Sequence, residues 1–334
     1  MEELLNIIKN FKNQKVLIVG DLMLDEYVLG EVNRISPEAP ILILDVKKTV
    51  YLPGGAANAA HNVKALGDKV VLVGVIGQDE KGEILKKTLK EKGIGTEGLM
   101  VDRERKTTLK TRIVARNQQV IRVDQEDRNP IDLPTEQKLF DFIQSKIKEV
   151  NSIIISDYGK GVITPNISQK IIALARENNV LSLVDPAGGG DNYDKYKNCN
   201  ILKPNKKELA RALNIPVEQM EQESKFLQAG KMLLSHVMCD YVLVTQGADG
   251  MTLFEKNGTN FHYPAVNKQA IDVSGAGDTA IGTLALALAS GVDFKQAIIL
   301  TSHACGIEVG KMGTAVVLTE ELEESLRNYE EKQG

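Results

Sequence analysis

The stretch Asp272-Val273-Ser274-Gly275-Ala276-Gly277-Asp278 runs without a break into a small, apolar segment, Thr279 to Ser290. Two glycines one residue apart let the backbone turn sharply and bring its N–H groups close to a ligand. The apolar segment predicts a buried helix, so those N–H groups fall at a helix N-terminus, where an anion is favoured. Asp278 then lies in the first turn, beside the place where a phosphate would dock. A carboxylate next to an anion hole suits the transfer of a phosphoryl group to a hydroxyl. A plainer reading of the same residues is Ser274 as an N-cap ahead of an acidic first turn, common to any soluble helix.

Outward from this segment, apolar runs alternate with helical spacing. Val16 to Gly20, Val70 to Val75, Ile153 to Ser156, Leu181 to Val184, Asn200 to Leu202 and Val242 to Thr245 predict short buried strands. Ala56 to Leu66, Glu80 to Lys92, Glu136 to Val150, Asn166 to Asn178, Lys206 to Leu213 and Gln222 to His236 predict the helices between them. That rhythm implies an α/β fold with a mostly parallel sheet and helices on both faces. Ligands in such sheets bind outside the carboxyl ends of the strands.

Leu24 to Gly30 with Ile41 to Val46, and Leu109 to Ala115 with Val120 to Asp124, alternate apolar and polar with no helix between them. These segments predict a small separate β-sheet, with Asn117-Gln118 at a hairpin turn. A small sheet projecting from a larger one suggests a lid that excludes water from a phosphoryl donor, and its face and edges suggest a dimer contact. The chain reads as one domain, 1–334, with lid segments at about 22–48 and 107–125. Asp185-Pro186-Ala187-Gly188-Gly189-Gly190-Asp191 is a flexible, Gly-rich loop after a strand.

Composition narrows the function classes. A net charge of −4 and a pI near 5.8 argue against a nucleic-acid surface, which needs clustered Lys and Arg. Cys199, Cys239 and Cys305 are odd in number with no CxxC pair, which fits reduced thiols in the cytoplasm. No basic segment precedes an apolar one at the N-terminus, and no apolar run reaches the ~20 residues of a membrane span, so neither a secretory signal nor a membrane partner is expected. The four histidines show no HxxxH or HxH spacing for a transition metal.

Other phosphate-binding signatures are missing: no GxxxxGK[ST], no GxGxxG after the first strand, no HRD and DFG pair. Three further stretches are suggestive, each with a plainer reading. Gly54-Gly55-Ala56-Ala57-Asn58 is a Gly-rich turn opening a helix, with Asn58 free to hydrogen-bond a substrate. In Lys203-Pro204-Asn205-Lys206-Lys207-Glu208, Asn205 and Glu208 share one face of a starting helix and suit Mg²⁺ held through its water shell. Either could be no more than a tight turn and a capped helix. Thr245-Gln246-Gly247 leaves a strand through glycine and suits the edge of a nucleotide site, or merely a turn.

In this order, Gly54-Gly55-x-x-Asn58, Asn205-x-x-Glu208, Thr245-x-Gly247 and Asp272-x-x-Gly275-Ala276-Gly277-Asp278 resemble the ribokinase-like carbohydrate kinases over roughly residues 14 to 320. Within that family the chain is most similar to kinases that phosphorylate D-glycero-β-D-manno-heptose 7-phosphate at O1. That likeness rests on Gly20 to Asp25, Arg34 to Pro40, Ala115-Arg116-Asn117-Gln118-Gln119, Asp157-Tyr158-Gly159-Lys160-Gly161 and Gly310 to Thr314. The resemblance implies a ribokinase-like three-layer sandwich and an ATP-dependent sugar kinase using Mg²⁺, with K⁺ beside Asp272.

The resemblance also assigns roles. Asp278 is the base, and the N–H groups of Gly275, Ala276 and Gly277 neutralise the moving phosphoryl. The helix N-terminus is expected to lower the pKa of Asp278. Asn205, Glu208, Thr245 and Gly247 attend Mg²⁺–ATP, while Ser302 and His303, on the next helical segment, either lie near the adenine or belong to a packed helix face. Asp21, Gly54, Gly55, Asn58 and Asp185 lie on the sugar side, where Arg112, Arg116 and Lys160 are the cations for a phosphate already on the sugar.

Two departures stand out. Ala187 occupies a position where such heptose kinases carry Lys, so that cation is either missing or supplied by Lys195 or Lys197. No HxGH nucleotidyltransferase motif occurs, so a stand-alone kinase form is expected. A kinase for another sugar, sugar phosphate or nucleoside is the alternative, and a non-catalytic binding protein is disfavoured by intact Asp278, Asn205 and Glu208.

Overall fold

The computed structural model describes residues 2–116, 118–189, 193–267 and 269–331. Asn117 of the expected hairpin and Gly190 and Asp191 of the Gly-rich loop lie outside the described residues. In chain order the elements are α1 (Glu2–Asn10), β1 (Lys15–Gly20), β2 (Leu22–Ile35), β3 (Leu42–Gly55), α2 (Ala56–Gly67), β4 (Lys69–Gly77), α3 (Glu80–Glu91) and β5 (Gly98–Asp102). There follow β6 (Thr108–Ala115), β7 (Gln118–Gln125), α4 (Leu133–Lys146), β8 (Ser152–Ser156), α5 (Pro165–Glu177), β9 (Leu181–Asp185), β10 (Ile201–Leu202) and α6 (Lys206–Ala212). The chain ends with α7 (Glu223–Val237), β11 (Tyr241–Thr245), β12 (Met251–Glu255), β13 (Asn260–Tyr263), α8 (Ala276–Ala289), α9 (Phe294–Glu308) and α10 (Thr319–Glu331).

The larger sheet has the order β13-β12-β11-β10-β9-β8-β1-β4-β5, parallel throughout except for the antiparallel β11/β12 and β12/β13 pairs. Successive strand residues point to opposite faces, and each face has its own helical layer. Val16, Ile18, Leu72, Ile154 and Leu183 join one core with α2, α8 and α9, whereas Leu17, Val19, Val73, Ile155 and Val184 join the other with α4, α5 and α7. This is the expected three-layer α/β arrangement.

Every expected buried strand and helix is present. The edge strand β5, the β12–β13 hairpin and helices α1 and α10 were not anticipated, because their patterns are short or weakly periodic. The helix expected over Glu136 to Val150 starts three residues earlier, with Asp132 accepting a hydrogen bond from the Thr135 N–H as its N-cap, and closes in a 3₁₀ turn at Ile147–Glu149.

The smaller sheet has the order β3-β2-β6-β7 and forms the lid. Its β2/β3 ladder is longer than the alternation implied, and it runs down to Leu22↔Gly55 and Met23↔Gly54. Gly54-Gly55 is therefore the end of a strand rather than a free turn. Gly55 has φ +58° where the chain turns into α2, and a Cβ there would sit 2.5 Å from the Asp21 carbonyl oxygen. Only glycine fits that corner.

Candidate functional site

The carboxyl ends of five neighbouring strands deliver Asp21 after β1, Asp157 after β8, Asp185 at the end of β9, Lys203 after β10 and Thr245 at the end of β11. Helix α8 begins over this row. Its N-cap is Gly275, at φ +102°, and no side chain caps it. Ser274 does not serve as the cap; its N–H donates to Asp272 Oδ1 at 2.9 Å instead. The first-turn amides of an uncapped helix have no intrahelical acceptors, so they face outward as an anion site. A Cβ on Gly275 would lie 3.0 Å from Asn58 Nδ2 and 3.1 Å from Glu308 Oε1, so that turn also demands glycine.

Asp278 is buried in the first turn of α8. Asn58 Nδ2 donates to its Oδ2 and the Tyr158 hydroxyl donates to its Oδ1, each at 2.8 Å. Its pKa is pushed up to about 7, chiefly by burial; the nearby Asp185 adds to the rise, and the two hydrogen bonds and Lys203 oppose it. This reverses the expected lowering by the helix terminus, because desolvation of a buried carboxylate outweighs the dipole.

Lys203 is the cation that sequence reasoning passed over. It is 3% exposed and its Nζ lies 2.9 Å from Asp185 Oδ1. A Cβ on Gly277 would be 3.6 Å from this ammonium, which puts it beside the mouth of the anion site. Burial acts to lower its pKa but is outweighed by Asp185, Glu208 and Asp278, so the net shift is upward and the ammonium stays charged. Asp185, expected on the sugar side, is thus the counter-ion of Lys203; burial pushes its own carboxyl up.

Other expected site residues land differently. Asp21 does not offer its carboxylate to a sugar, since it accepts the N–H groups of Tyr158 (2.8 Å), Lys160 (3.1 Å) and Val162 (3.1 Å). It clamps the 158–162 loop under the site, and burial followed by Asp157 pushes its pKa to about 6. Asn58 holds the Asp278 carboxylate, with its own Oδ1 buried and without a partner among the described residues. Arg112 is paired with Asp25 at 2.5 Å and lies over the Tyr27 ring. Lys160 is paired with Glu126 at 2.5 Å. Arg116 is exposed at the outer end of β6, four residues and about 13 Å of strand beyond Arg112, so it does not reach this site within its own chain. Lys195 is paired with Asp157 at 2.5 Å beneath the site, and Lys197 with Asp194 at 2.8 Å. Neither replaces the cation absent at Ala187, which is buried with its N–H on the Tyr196 hydroxyl.

Thr245, Gly247, Val266, Gly277, Ser302 and Cys305 are among the residues lining a largely apolar cleft beside the start of α8. Ser302 faces it while its hydroxyl donates to the Pro264 carbonyl at 3.2 Å. His303 does not face it. Its Nδ1 is 2.8 Å from Ser325 Oγ and its ring meets Tyr329 edge-on, and burial pushes its pKa down to about 4. It is a packing residue between α9 and α10.

Two features bear on cations. Asn205 and Glu208 form a reciprocal capping box at the start of α6, with the Glu208 N–H on Asn205 Oδ1 (2.9 Å) and the Asn205 N–H on Glu208 Oε2 (2.8 Å). That leaves Oε1 of Glu208 turned toward Gly188 and the site, and burial followed by Asp185 pushes its pKa to about 7. Glu308 is fully buried beside Gly275 with both oxygens unpartnered, and burial followed by Asp272 and Asp278 pushes its pKa to about 8. Neither carboxylate forms an ion pair among the described residues, Lys203 acting on Glu208 and Lys311 on Glu308 only from farther off, which fits bound cations. Among the described residues no group of three His, Cys, Asp or Glu side chains is arranged to cage a metal. A water- and phosphate-held Mg²⁺ needs no such cage.

Residues 13–321 match the model of the pfkB family carbohydrate kinases. The chain is 43% identical over 301 residues to the bifunctional protein HldE of Geobacter metallireducens, covering 90% of this chain and 60% of that protein. It is 41% identical over 309 residues to the bifunctional protein HldE of Helicobacter pylori strain J99, covering 92% and 65%. The chain thus spans about three-fifths of the length of such relatives. Arabidopsis thaliana ribokinase, solved with ribose and ATP, superposes with a TM-score of 0.73 at 19% identity, covering 94% of this chain and 99% of that one. Escherichia coli phosphofructokinase-2, solved with potassium, gives 0.75 at 17% identity, covering 95% and 99%. At such identities these two structures speak to the fold.

Proposed function

We propose that this chain, which belongs to the pfkB family of carbohydrate kinases and is therefore a phosphotransferase with a hydroxyl acceptor, transfers the γ-phosphoryl of ATP to O1 of D-glycero-β-D-manno-heptose 7-phosphate. The carrying observation is the buried Asp278 carboxylate in the first turn of an uncapped helix, with Lys203 beside it. The anomeric hydroxyl displaces the Tyr158 hydroxyl from Asp278 Oδ1 and gives up its proton there as O1 bonds to phosphorus and the bond to ADP breaks. The transition state is loose, so positioning and charge matter more than a strong base. The amides at the start of α8 and Lys203 meet the charge on the transferring group. ATP lies in the cleft bordered by Thr245, Gly247 and Ser302. Asn205 and Glu208 would hold Mg²⁺ through water, and Asp272 with Glu308 would hold K⁺. Mg²⁺ supplies charge neutralisation between the phosphates. An anomeric hydroxyl is more acidic than an ordinary alcohol, which suits a base of near-neutral pKa.

Steady-state rates across a panel of sugars and sugar phosphates test the substrate. The heptose 7-phosphate is expected to give the highest kcat/KM; a faster pentose, hexose phosphate or nucleoside would replace it with another acceptor of the same family chemistry.

Because the carboxylate form of Asp278 is the active one, kcat is expected to fall as pH drops through about 7, well above the usual aspartate range. A pH–rate profile with its acid limb near 4 would contradict this. Buried Glu308 leads to a second expectation: turnover in KCl should exceed turnover in NaCl at equal ionic strength, and Glu308→Gln should shrink that difference.

Ile35, Ile41, Leu42, Val120, Ile121 and Val123 are exposed on the lid, which supports a homodimer through that sheet. Sedimentation should give twice the 36.6 kDa chain mass, and a monomer at micromolar concentration would exclude it. The three cysteines are free thiols, which supports a reducing, cytoplasmic setting.

A further inference from the structure

We infer that Lys110 forms an anion subsite at the seam between lid and large sheet that receives the phosphate already carried by the sugar. This rests on the sugar-kinase reading above and adds to it the residue that distinguishes a phosphorylated from an unphosphorylated acceptor.

The sheet register sets Lys110 on β6 beside Asp25 of β2 and opposite Asp124 of β7, with Arg112 two residues on and on the same face. Each neighbouring cation already has a carboxylate: Arg112 has Asp25 at 2.5 Å, Arg122 has Asp124 at 2.8 Å and Lys160 has Glu126 at 2.5 Å. Glu126 is shared with Arg128 at 2.6 Å, so the corner holds more positive than negative side chains. Among the described residues Lys110 forms no ion pair. Its one contact of this kind is with the Tyr158 ring, 6.0 Å from Nζ to the centroid. Burial pushes this ammonium below the usual lysine range; Asp25 and Asp124 oppose that shift, and Lys160 and Arg122 add to it. A half-buried ammonium with no ion-pair contact, whose neighbouring carboxylates are engaged by Arg112 and Arg122, is free to take an anion, and a phosphate dianion would supply one.

Tyr158 gives the spacing. Its hydroxyl is on Asp278 and its ring face is toward Lys110. An acceptor that puts its reacting hydroxyl on Asp278 and its phosphate on Lys110 reaches along Tyr158, which suits two groups set apart on its carbon chain. A heptose phosphorylated at O7 and reacting at O1 is of that class. Arg112, held by Asp25, and Arg116, at the lid's outer end, are not needed for it.

The test compares Lys110→Met and Lys110→Arg with the parent protein, using the heptose 7-phosphate and the same heptose without phosphate. Lys110→Met should lower the preference for the phosphorylated sugar by about 10- to 100-fold, through KM rather than kcat, and Lys110→Arg should restore most of it. Equal losses on both sugars, or no loss on either, would overturn the subsite. Calorimetric titration with both sugars separates the two readings. If no sugar is turned over but Lys110→Met still removes the affinity difference between the two, the kinase substrate is wrong and the subsite stands. If Lys110→Met turns over the 7-phosphate with parental KM, the subsite is wrong and the kinase stands.

Discussion

Asp278→Asn is expected to lower kcat by about 10²–10⁴-fold, the usual cost of losing a general base. The amide keeps the shape of the side chain but cannot take the acceptor's proton. MgATP affinity should change little, because the nucleotide cleft is lined by Thr245, Gly247, Gly277 and Ser302 rather than by this carboxylate. The fold should survive. Burial already pushes the pKa of this group up to about 7, so the ionised form is poorly solvated and its removal relieves that penalty. The loss of good acceptors for Asn58 Nδ2 and the Tyr158 hydroxyl works in the opposite direction. Initial rates of ADP formation, nucleotide titration and thermal melts separate these effects. ADP formation within about tenfold of the parent rate would remove Asp278 from the base role.

Lys203→Met should act on both rate and stability. Deleting one partner of a buried ion pair leaves the other charge uncompensated, at a cost of about 3–5 kcal/mol. Here the orphan would be Asp185, buried at the end of β9. Loss of a donor to the transferring phosphoryl typically costs about 10²–10³ in rate. The double variant Lys203→Met with Asp185→Asn removes the orphaned charge. It should regain most of the stability by urea unfolding while kcat stays low. Recovery of both together would make Lys203 a structural cation only.

The anion site was legible in the sequence because its geometry is local. Gly275 and Gly277 bracket a turn that few other residues could make, and the apolar run after them announces the helix. The alternating strands were legible for the same reason: each lies within a few residues. The roles of Asp21 and Asp278 depended instead on distant partners. Asp21 is held by N–H groups more than 130 residues away. The elevated pKa of Asp278 is a property of burial, which a helix-terminus argument does not contain. Lys203 did leave a signal: a charged residue directly after the buried pair Ile201-Leu202 and before Pro204 is an unusual place for solvent exposure. The sequence leaves His303 open between cleft and packing because an apolar helix such as α9 shows no periodicity to say which side faces the cleft.

The most direct measurement is the phosphorus NMR spectrum of heptose 7-phosphate incubated with MgATP and the purified protein. The account predicts one new phosphomonoester signal coupled to the anomeric proton, formed in step with ADP. ADP accompanied only by inorganic phosphate, or a new phosphate on any other carbon, would contradict it.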